Sequence, residues 1–289
     1  MLDKIHAACV KAMPKDRVYR IGDVLLLRGG CVPIYKQILS KFPKSVDLWL
    51  NDPPYGITRI SWDSVIPLTD YWDMTSIVKD DAAIVVFGSQ PFTSTVVASN
   101  MKQFRHAEVW DKGKCGSPGL AKYRPMKVHE DVLVFSRKPH RYFPQMGKGK
   151  PFGRVGSSKV KAKREVDNHG YGFKMRIRFN PGTRYPTSIL KFSRNFSAQQ
   201  QVHPTQKPTT LLEWSIKSYS RPGEIVLDVT AGSGSTGAAA ISTGRKAILI
   251  ERDPYYFELQ KAWLKRHARG LPFDAQSYRK KNPPPKEQK

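Results

Sequence analysis

Ile225-Val226-Leu227-Asp228-Val229-Thr230-Ala231-Gly232-Ser233-Gly234-Ser235-Thr236-Gly237 is the stretch that decides the fold. An apolar run ends in an acid, passes through a glycine turn and enters a helical pattern that continues to Ile241. A second apolar run, Ala247 to Ile250, ends in Glu251. Strand, glycine turn, helix, strand and acid follow one another as in a nucleotide-binding α/β unit. Glycine lets the backbone approach a ligand closely and adopt positive φ. Gly232, Gly234 and Gly237 match GxGxxG, and Glu251 stands where a carboxylate can hold both hydroxyls of a ribose. The pattern predicts a nucleoside-containing cofactor. NAD is one reading and S-adenosylmethionine another; Asp228 at the strand end favours the second.

Working outward, residues 82–87, AAIVVF, form a continuous apolar run stopped by Gly88. Such a run predicts a strand buried on both faces, as in a parallel sheet. Val46 to Leu50 is a shorter strand that stops at Asn51-Asp52-Pro53-Pro54-Tyr55-Gly56. That places the segment at the carboxyl end of a strand, where α/β sheets bind ligands. Its residue types suit methylation of an exocyclic amine. Such an amine is a poor nucleophile, because its lone pair is delocalised into the base. Asp52 and the Pro53 carbonyl can accept its two N–H bonds and turn the lone pair towards a methyl donor. The prolines hold that carbonyl rigidly in advance. Tyr55 offers a flat face to a base swung out of a duplex.

The whole chain of 289 residues carries 49 Lys plus Arg against 24 Asp plus Glu, a formal charge of +25. This points to an acidic partner, nucleic acid first. Its aromatic fraction of 11% argues against a wholly disordered chain. Cys9, Cys31 and Cys115 are far apart and odd in number, which excludes a disulfide framework and fits a reducing compartment. No apolar leader or membrane-length run is visible. Between 139 and 200 the texture changes: fourteen Lys/Arg face only Glu165 and Asp167. Tyr142, Phe152, Tyr171, Phe173, Phe179 and Tyr185 are interleaved with them. Such a window suits phosphate contacts with base readout.

Six segments in order now resemble the amino-methyltransferase family of DNA methyltransferases, in its β-type motif order. They are DPPYGITRISWD (52–63), AAIVVFGSQPF (82–92), HEDVLVF (129–135), RYPTSILKF (184–192), HPTQKPTTLLE (203–213) and LDVTAGSGSTG (227–237). The resemblance spans roughly residues 18–268 and is nearest to phage and bacterial adenine-N6 enzymes. It implies that Asp52, Pro53, Pro54 and Tyr55 form the catalytic segment. It implies that Gly232, Ser233, Gly234 and Thr236 line the methionine end of S-adenosylmethionine, flanked by Asp228 and Ala231, with Glu251 on the ribose. Thr205 and Lys207 would hold the cofactor carboxylate, and Asp23 would meet its adenine amine. Where many relatives carry Asp-Pro-Phe, this chain has Asp228-Val229-Thr230, so Thr230 replaces an aromatic.

The expected fold is a Rossmann-like α/β methyltransferase domain, mostly parallel, with helices on both faces and an inserted target-recognition region. The expected divisions are an N-terminal extension (1–17), a catalytic half (18–138), a basic insert (139–200), a cofactor-binding half (201–270) and a disordered basic tail (271–289). The expected activity is methyl transfer from S-adenosylmethionine to adenine N6 in double-stranded DNA after base flipping, without a metal. Cytosine-N4 methylation and an inactive basic DNA-binding protein are the alternatives, with a NAD-dependent reductase behind them. Expected partners are DNA, a second copy of the chain and a cognate restriction endonuclease, in the cytoplasm of a bacterial or phage-infected cell and with no membrane.

Overall fold

The computed structural model describes residues 1–57, 63–116, 119, 121–151, 181–194, 201–203 and 206–284. They fall into two compact units, Met1–Phe143 with Ser188–Lys289, and Pro144–Thr187.

The first unit opens with α1 (Leu2–Ala12), the antiparallel pair β1 (Val18–Ile21) and β2 (Val24–Arg28), and α2 (Cys31–Gln37). β3 (Val46–Asn51), α3 (Leu68–Met74), β4 (Val78–Gly88) and α4 (Phe92–Ser99) follow. A long arm is made by β5 (Phe104–Gly116) and β6 (Lys127–Phe135). In the second unit, β7 (Gly147–Lys148) pairs antiparallel with β8 (Thr183–Arg184). The chain returns to the first unit with β9 (Ile189–Lys191), α5 (Thr209–Tyr219), β10 (Ile225–Asp228), α6 (Ser235–Ser242), β11 (Lys246–Glu251), α7 (Pro254–His267) and α8 (Ala275–Lys281).

The sheet runs β1-β2-β11-β10-β3-β4-β6-β5-β9. From β2 to β4 all pairings are parallel; β6 is antiparallel to both β4 and β5, and β9 lies parallel to β5. Alternation along the strands divides the core in two. Leu25, Leu27, Trp49, Ile84 and Val86 face α1 to α4, meeting Leu2, Ile5, Ile34, Tyr71 and Val96. Val24, Leu26, Leu48, Ala83 and Val85 face α5 to α7, meeting Leu211, Ile216, Ala239 and Leu264. The result is three layers, and the strand expected at 82–87 is indeed buried on both faces.

Three expected divisions change. The N-terminal segment is core, since Leu2, Ile5 and Cys9 of α1 are fully buried. The tail begins with α8, capped by Asp274 through the Ser277 N–H, and Ala275 packs on Val202 and Leu259. The insert expected at 139–200 exceeds the separate unit: 139–143 and 188–194 belong to the first unit, where β9 joins the main sheet. Residues 152–180 and 195–200, with Phe152, Tyr171, Phe173 and Phe179, lie outside the described residues, as do 285–289.

From β10 the chain passes through α6 to β11 on one side; from β3 it passes through α3 to β4 on the other. The two connections diverge at the carboxyl ends of adjacent strands. This is the switch point at which open α/β sheets form a crevice.

Candidate active site

A cavity of about 1060 Å³ opens at that switch point. It is lined by Asp52, Pro53, Pro54 and Tyr55 after β3, by Asp228 to Ser233 and Thr236 after β10, and by Glu251 at the end of β11.

The glycine turn is shaped by backbone need. Gly232 and Gly234 have φ of +51° and +81°, the left-handed region that side chains resist. Gly237 sits within α6 against Leu249 and Leu264, where there is no room for a Cβ. Two carboxylates brace the turn. Asp228 accepts from Thr236 Oγ1 (2.6 Å), the Thr230 N–H (3.1 Å) and Asn51 Nδ2 (3.1 Å). Burial pushes its pKa up to about 6 against those bonds. Glu251 accepts from the Gly232 N–H at 2.7 Å and the Asp253 N–H at 2.8 Å, and burial pushes it up to about 7. Each of its oxygens keeps a lone pair for a hydroxyl. That donor set and the size of the cavity fit a nucleoside cofactor beside a second flat ligand.

Thr230 joins the two loops. Its hydroxyl donates to the Asp52 carbonyl at 3.0 Å and accepts from Asn51 Nδ2 at 2.6 Å. Asn51 is held in turn by the Tyr71 hydroxyl (2.9 Å). The residue that departs from the expected aromatic thus carries a polar link between the glycine turn and the Asp52–Tyr55 segment.

Both Asp52 oxygens are engaged. Oδ1 accepts from the Tyr55 hydroxyl at 2.7 Å and Oδ2 from Lys207 Nζ at 2.5 Å. The Tyr55 ring stacks on Phe92, with centroids 5.2 Å apart and planes 27° apart. Burial, followed by the Asp52 and Glu130 carboxylates, pushes the Tyr55 phenol well up, so it stays a donor. Lys207 precedes α5 on a segment clamped by Gln206, whose Oε1 accepts the Val202 N–H at 2.7 Å. Its ammonium also lies 3.1 Å from Glu130 Oε2. Burial works against its charge, but the two carboxylates outweigh burial and raise its pKa. His203, ring to ring with Tyr256 at 4.2 Å, is pushed down by burial to about 4 and is neutral.

One expected residue is not brought here. Asp23 lies in the β1–β2 turn, and β2 runs from Val24, beside Ala247, to Arg28, beside Glu251. Asp23 is therefore at the amino edge, roughly 16 Å of strand from the cavity end. It is exposed and faces Arg20. The Gly22-Asp23 pair forms the hairpin turn between β1 and β2. Gly29, Gly30 and Cys31 line the cavity from that strand instead, and the Gly29-Gly30 doublet was the available signal. Thr205 and Trp62 lie outside the described residues. Glu130 and Lys112 were not foreseen as site residues. HEDVLVF held the first in plain view, whereas nothing local marks the second.

The profile of the DNA methylase family, N6/N4 methyltransferases, matches residues 46–262. Among curated relatives, the type II methyltransferase M1.MboII of Moraxella bovis is 26% identical over 74% of this chain and 86% of its own. The DNA adenine methyltransferase YhdJ of Escherichia coli is 28% identical over 76% and 77%. Among solved structures, the M1.HpyAVI–SAM complex aligns with a TM-score of 0.57 at 21% identity, covering 82% of this chain and 97% of that one. The cytosine-N4-specific PvuII DNA methyltransferase aligns with 0.56 at 19%, covering 89% and 97%.

Proposed function

Because the chain belongs to the DNA methylase family of N6/N4 methyltransferases, we propose that it transfers a methyl group from S-adenosylmethionine to adenine N6 in double-stranded DNA. The observation that carries this reading is the Thr230 hydrogen bond to the Asp52 carbonyl. It ties the acid-Pro-Pro-Tyr segment to the glycine turn inside one cavity, as a transfer between two bound molecules requires.

The residues for the cofactor are Gly232, Ser233, Gly234, Thr236, Asp228 and Ala231 around its methionine end, and Glu251 at the ribose hydroxyls. When bound, its sulfonium supplies a methyl group already activated for displacement. The flipped base lies against Tyr55, backed by Phe92. Asp52 and the Pro53 carbonyl accept the two amine N–H bonds and direct the nitrogen lone pair at the methyl carbon. The bound cofactor would supply the methyl carbon to the amine nitrogen, keeping the electron pair of the C–S bond on sulfur, and the nitrogen would shed a proton to water. Asp52 stabilises the positive charge that grows on that nitrogen, an electrostatic contribution fixed in advance. The stretch 139–200, rich in Lys and Arg, reads the DNA.

Asp at position 52 favours adenine, since Ser is common there in cytosine-N4 relatives. YhdJ, described as an adenine enzyme, supports the same choice. The test is Asp52→Ala with isotope-labelled methyl donor and DNA. Label transfer is expected to vanish while cofactor binding is largely kept; near-parental turnover would overturn the mechanism. Nucleoside analysis of the parent's product is expected to give N6-methyladenine. N4-methylcytosine would transfer the same mechanism to the other base.

A further inference from the structure

Lys207 shares its ammonium between two carboxylates, one of which the methyl transfer uses and one of which it does not. Asp52 Oδ2 is 2.5 Å away and Glu130 Oε2 is 3.1 Å away. Glu130 is itself pinned from its other side: Lys112 Nζ donates to its Oε1 at 3.1 Å. Charges thus alternate in a chain, Lys112 on β5, Glu130 on β6, Lys207 before α5 and Asp52 after β3, ending at the Tyr55 hydroxyl. The Lys207 side chain is 8% exposed. Phe87, Tyr55 and Trp110 surround the ammonium, with ring centroids at 5.1, 5.9 and 5.9 Å.

An ammonium this deep needs a full counter-charge. If Asp52 were the only one, it would have two demands to meet at once. The target amine gains positive charge during transfer and draws on the same carboxylate. The carboxylate would then swing between amine and lysine, and preorganisation would be lost. A second counter-ion removes the conflict. We propose that Glu130 is a positioning residue for methyl transfer: it anchors the Lys207 ammonium from the β6 side, and the anchored ammonium fixes the Asp52 carboxylate towards the amine. This rests on the reading of Asp52 given above.

Among the described residues, the charged and titratable groups around Lys207 are Asp52, Glu130 and Lys112, with the Tyr55 phenol and the neutral His203. Lys127 on β6 faces Glu130 from further out. Burial would raise the Glu130 carboxyl, but the Lys207 and Lys112 ammoniums hold it low. Glu130 is therefore ionised throughout the working range.

The experiment compares parent, Glu130→Gln, Lys207→Met and the double variant. It measures single-turnover transfer of labelled methyl to unmethylated bacterial genomic DNA, cofactor binding by calorimetry, and thermal melting. Glu130→Gln is expected to keep cofactor affinity within about threefold and to lower the transfer rate by about 10- to 100-fold. Its pH profile gains an alkaline decline that the parent lacks, because Lys207 with one counter-charge gives up its proton earlier. Lys207→Met lowers the rate similarly, and the double variant is no worse than either single one. A parental rate and profile in Glu130→Gln would overturn the proposal, as would losses that simply multiply. A lowered melting point with a parental rate would leave Glu130 a purely structural counter-ion, which also overturns it. If Glu130→Gln does not fold, Glu130→Asp replaces it, keeping the charge but drawing it back by one methylene from the Lys207 ammonium; a smaller rate loss and alkaline decline are expected there, and parental behaviour overturns the proposal. Asp52→Ala, run alongside, separates the two readings. Transfer persisting in Asp52→Ala defeats the role given to Asp52 in the proposed mechanism. Loss there with a parental Glu130→Gln defeats this inference alone.

Discussion

Glu251 ends β11 with its two oxygens facing the Gly232 and Asp253 N–H groups, and burial lifts its pKa from 4.5 to about 7. The folded free protein therefore holds this proton to higher pH than the unfolded chain does. Protons bound in the folded state exceed those in the unfolded state between about pH 4.5 and about pH 7. Across that window the residue's contribution to stability falls as pH rises. The ionised carboxylate is the stronger acceptor for hydroxyls, so cofactor affinity should rise through about pH 7 and then level. Glu251→Gln is expected to flatten the pH dependence of the melting temperature and to weaken cofactor binding at least ~10-fold at about pH 8. Melting and titration calorimetry at about pH 6 and about pH 8 check both. An unchanged affinity would remove Glu251 from the ribose.

At the scale of elements, α6 is set by how closely it lies on β11. Gly237 within it invites replacement by alanine, which would gain about 1 kcal/mol of helix propensity. The added Cβ would stand 2.6 Å from Leu249 Cδ1 and 3.1 Å from Leu264 Cδ1. Overpacking of that kind costs about 1–3 kcal/mol, so packing wins. Gly237→Ala is expected to melt lower by about 2–6 °C and to loosen cofactor binding; a higher melting point would contradict the packing argument. This β10–turn–α6–β11 unit was legible in the sequence because all its determinants are local: an apolar run, glycines, an acid at a fixed distance. The helix α5 (Thr209–Tyr219) is encoded locally in the same way, by the apolar spacing of Leu211, Leu212 and Ile216. What stayed hidden was decided by pairing between distant segments. Asp23 was misplaced because only the β2–β11 register shows which end of β2 faces the cavity. α1 looked like an extension because the cluster that buries Leu2, Ile5 and Cys9 is drawn from elements later in the chain. Glu130 became a site residue only when β6 was laid antiparallel to β4, bringing it under a lysine 77 positions later in the chain.

For the whole molecule, the formal charge of +25 is unevenly spread. Besides the stretch 139–200, the β5–β6 arm carries Lys112, Lys114, Lys122, Arg124 and Lys127, and three of these, Lys112, Arg124 and Lys127, line the cavity. Lys114, Lys122 and Arg124 are exposed. Counterion release makes such charge a salt-dependent source of affinity without sequence information. Replacing Lys114, Lys122 and Arg124 together by Gln should weaken DNA binding evenly across sequences. The slope of log affinity against log salt should shrink by about 0.9 for each phosphate that is no longer neutralised. Binding isotherms at several salt concentrations measure this; an unchanged slope would assign the binding charge to other surfaces.

The strand order has a consequence for how the protein comes into being. β2 and β3 are early in the chain, yet they do not touch; β11 and β10 lie between them. A nascent chain leaving the ribosome has Asp52 in the open long before the wedge that completes its sheet is made. Until β10 and β11 slot in, the Asn51 amide has neither Asp228 nor Thr230 to bond, although their separations of 177 and 179 residues are bridged in the finished fold. Closure over so long a loop comes late in folding. A chain that stops before Ile225 therefore lacks both partners of the Asn51 amide, and with them the glycine turn and Glu251 that complete the cavity.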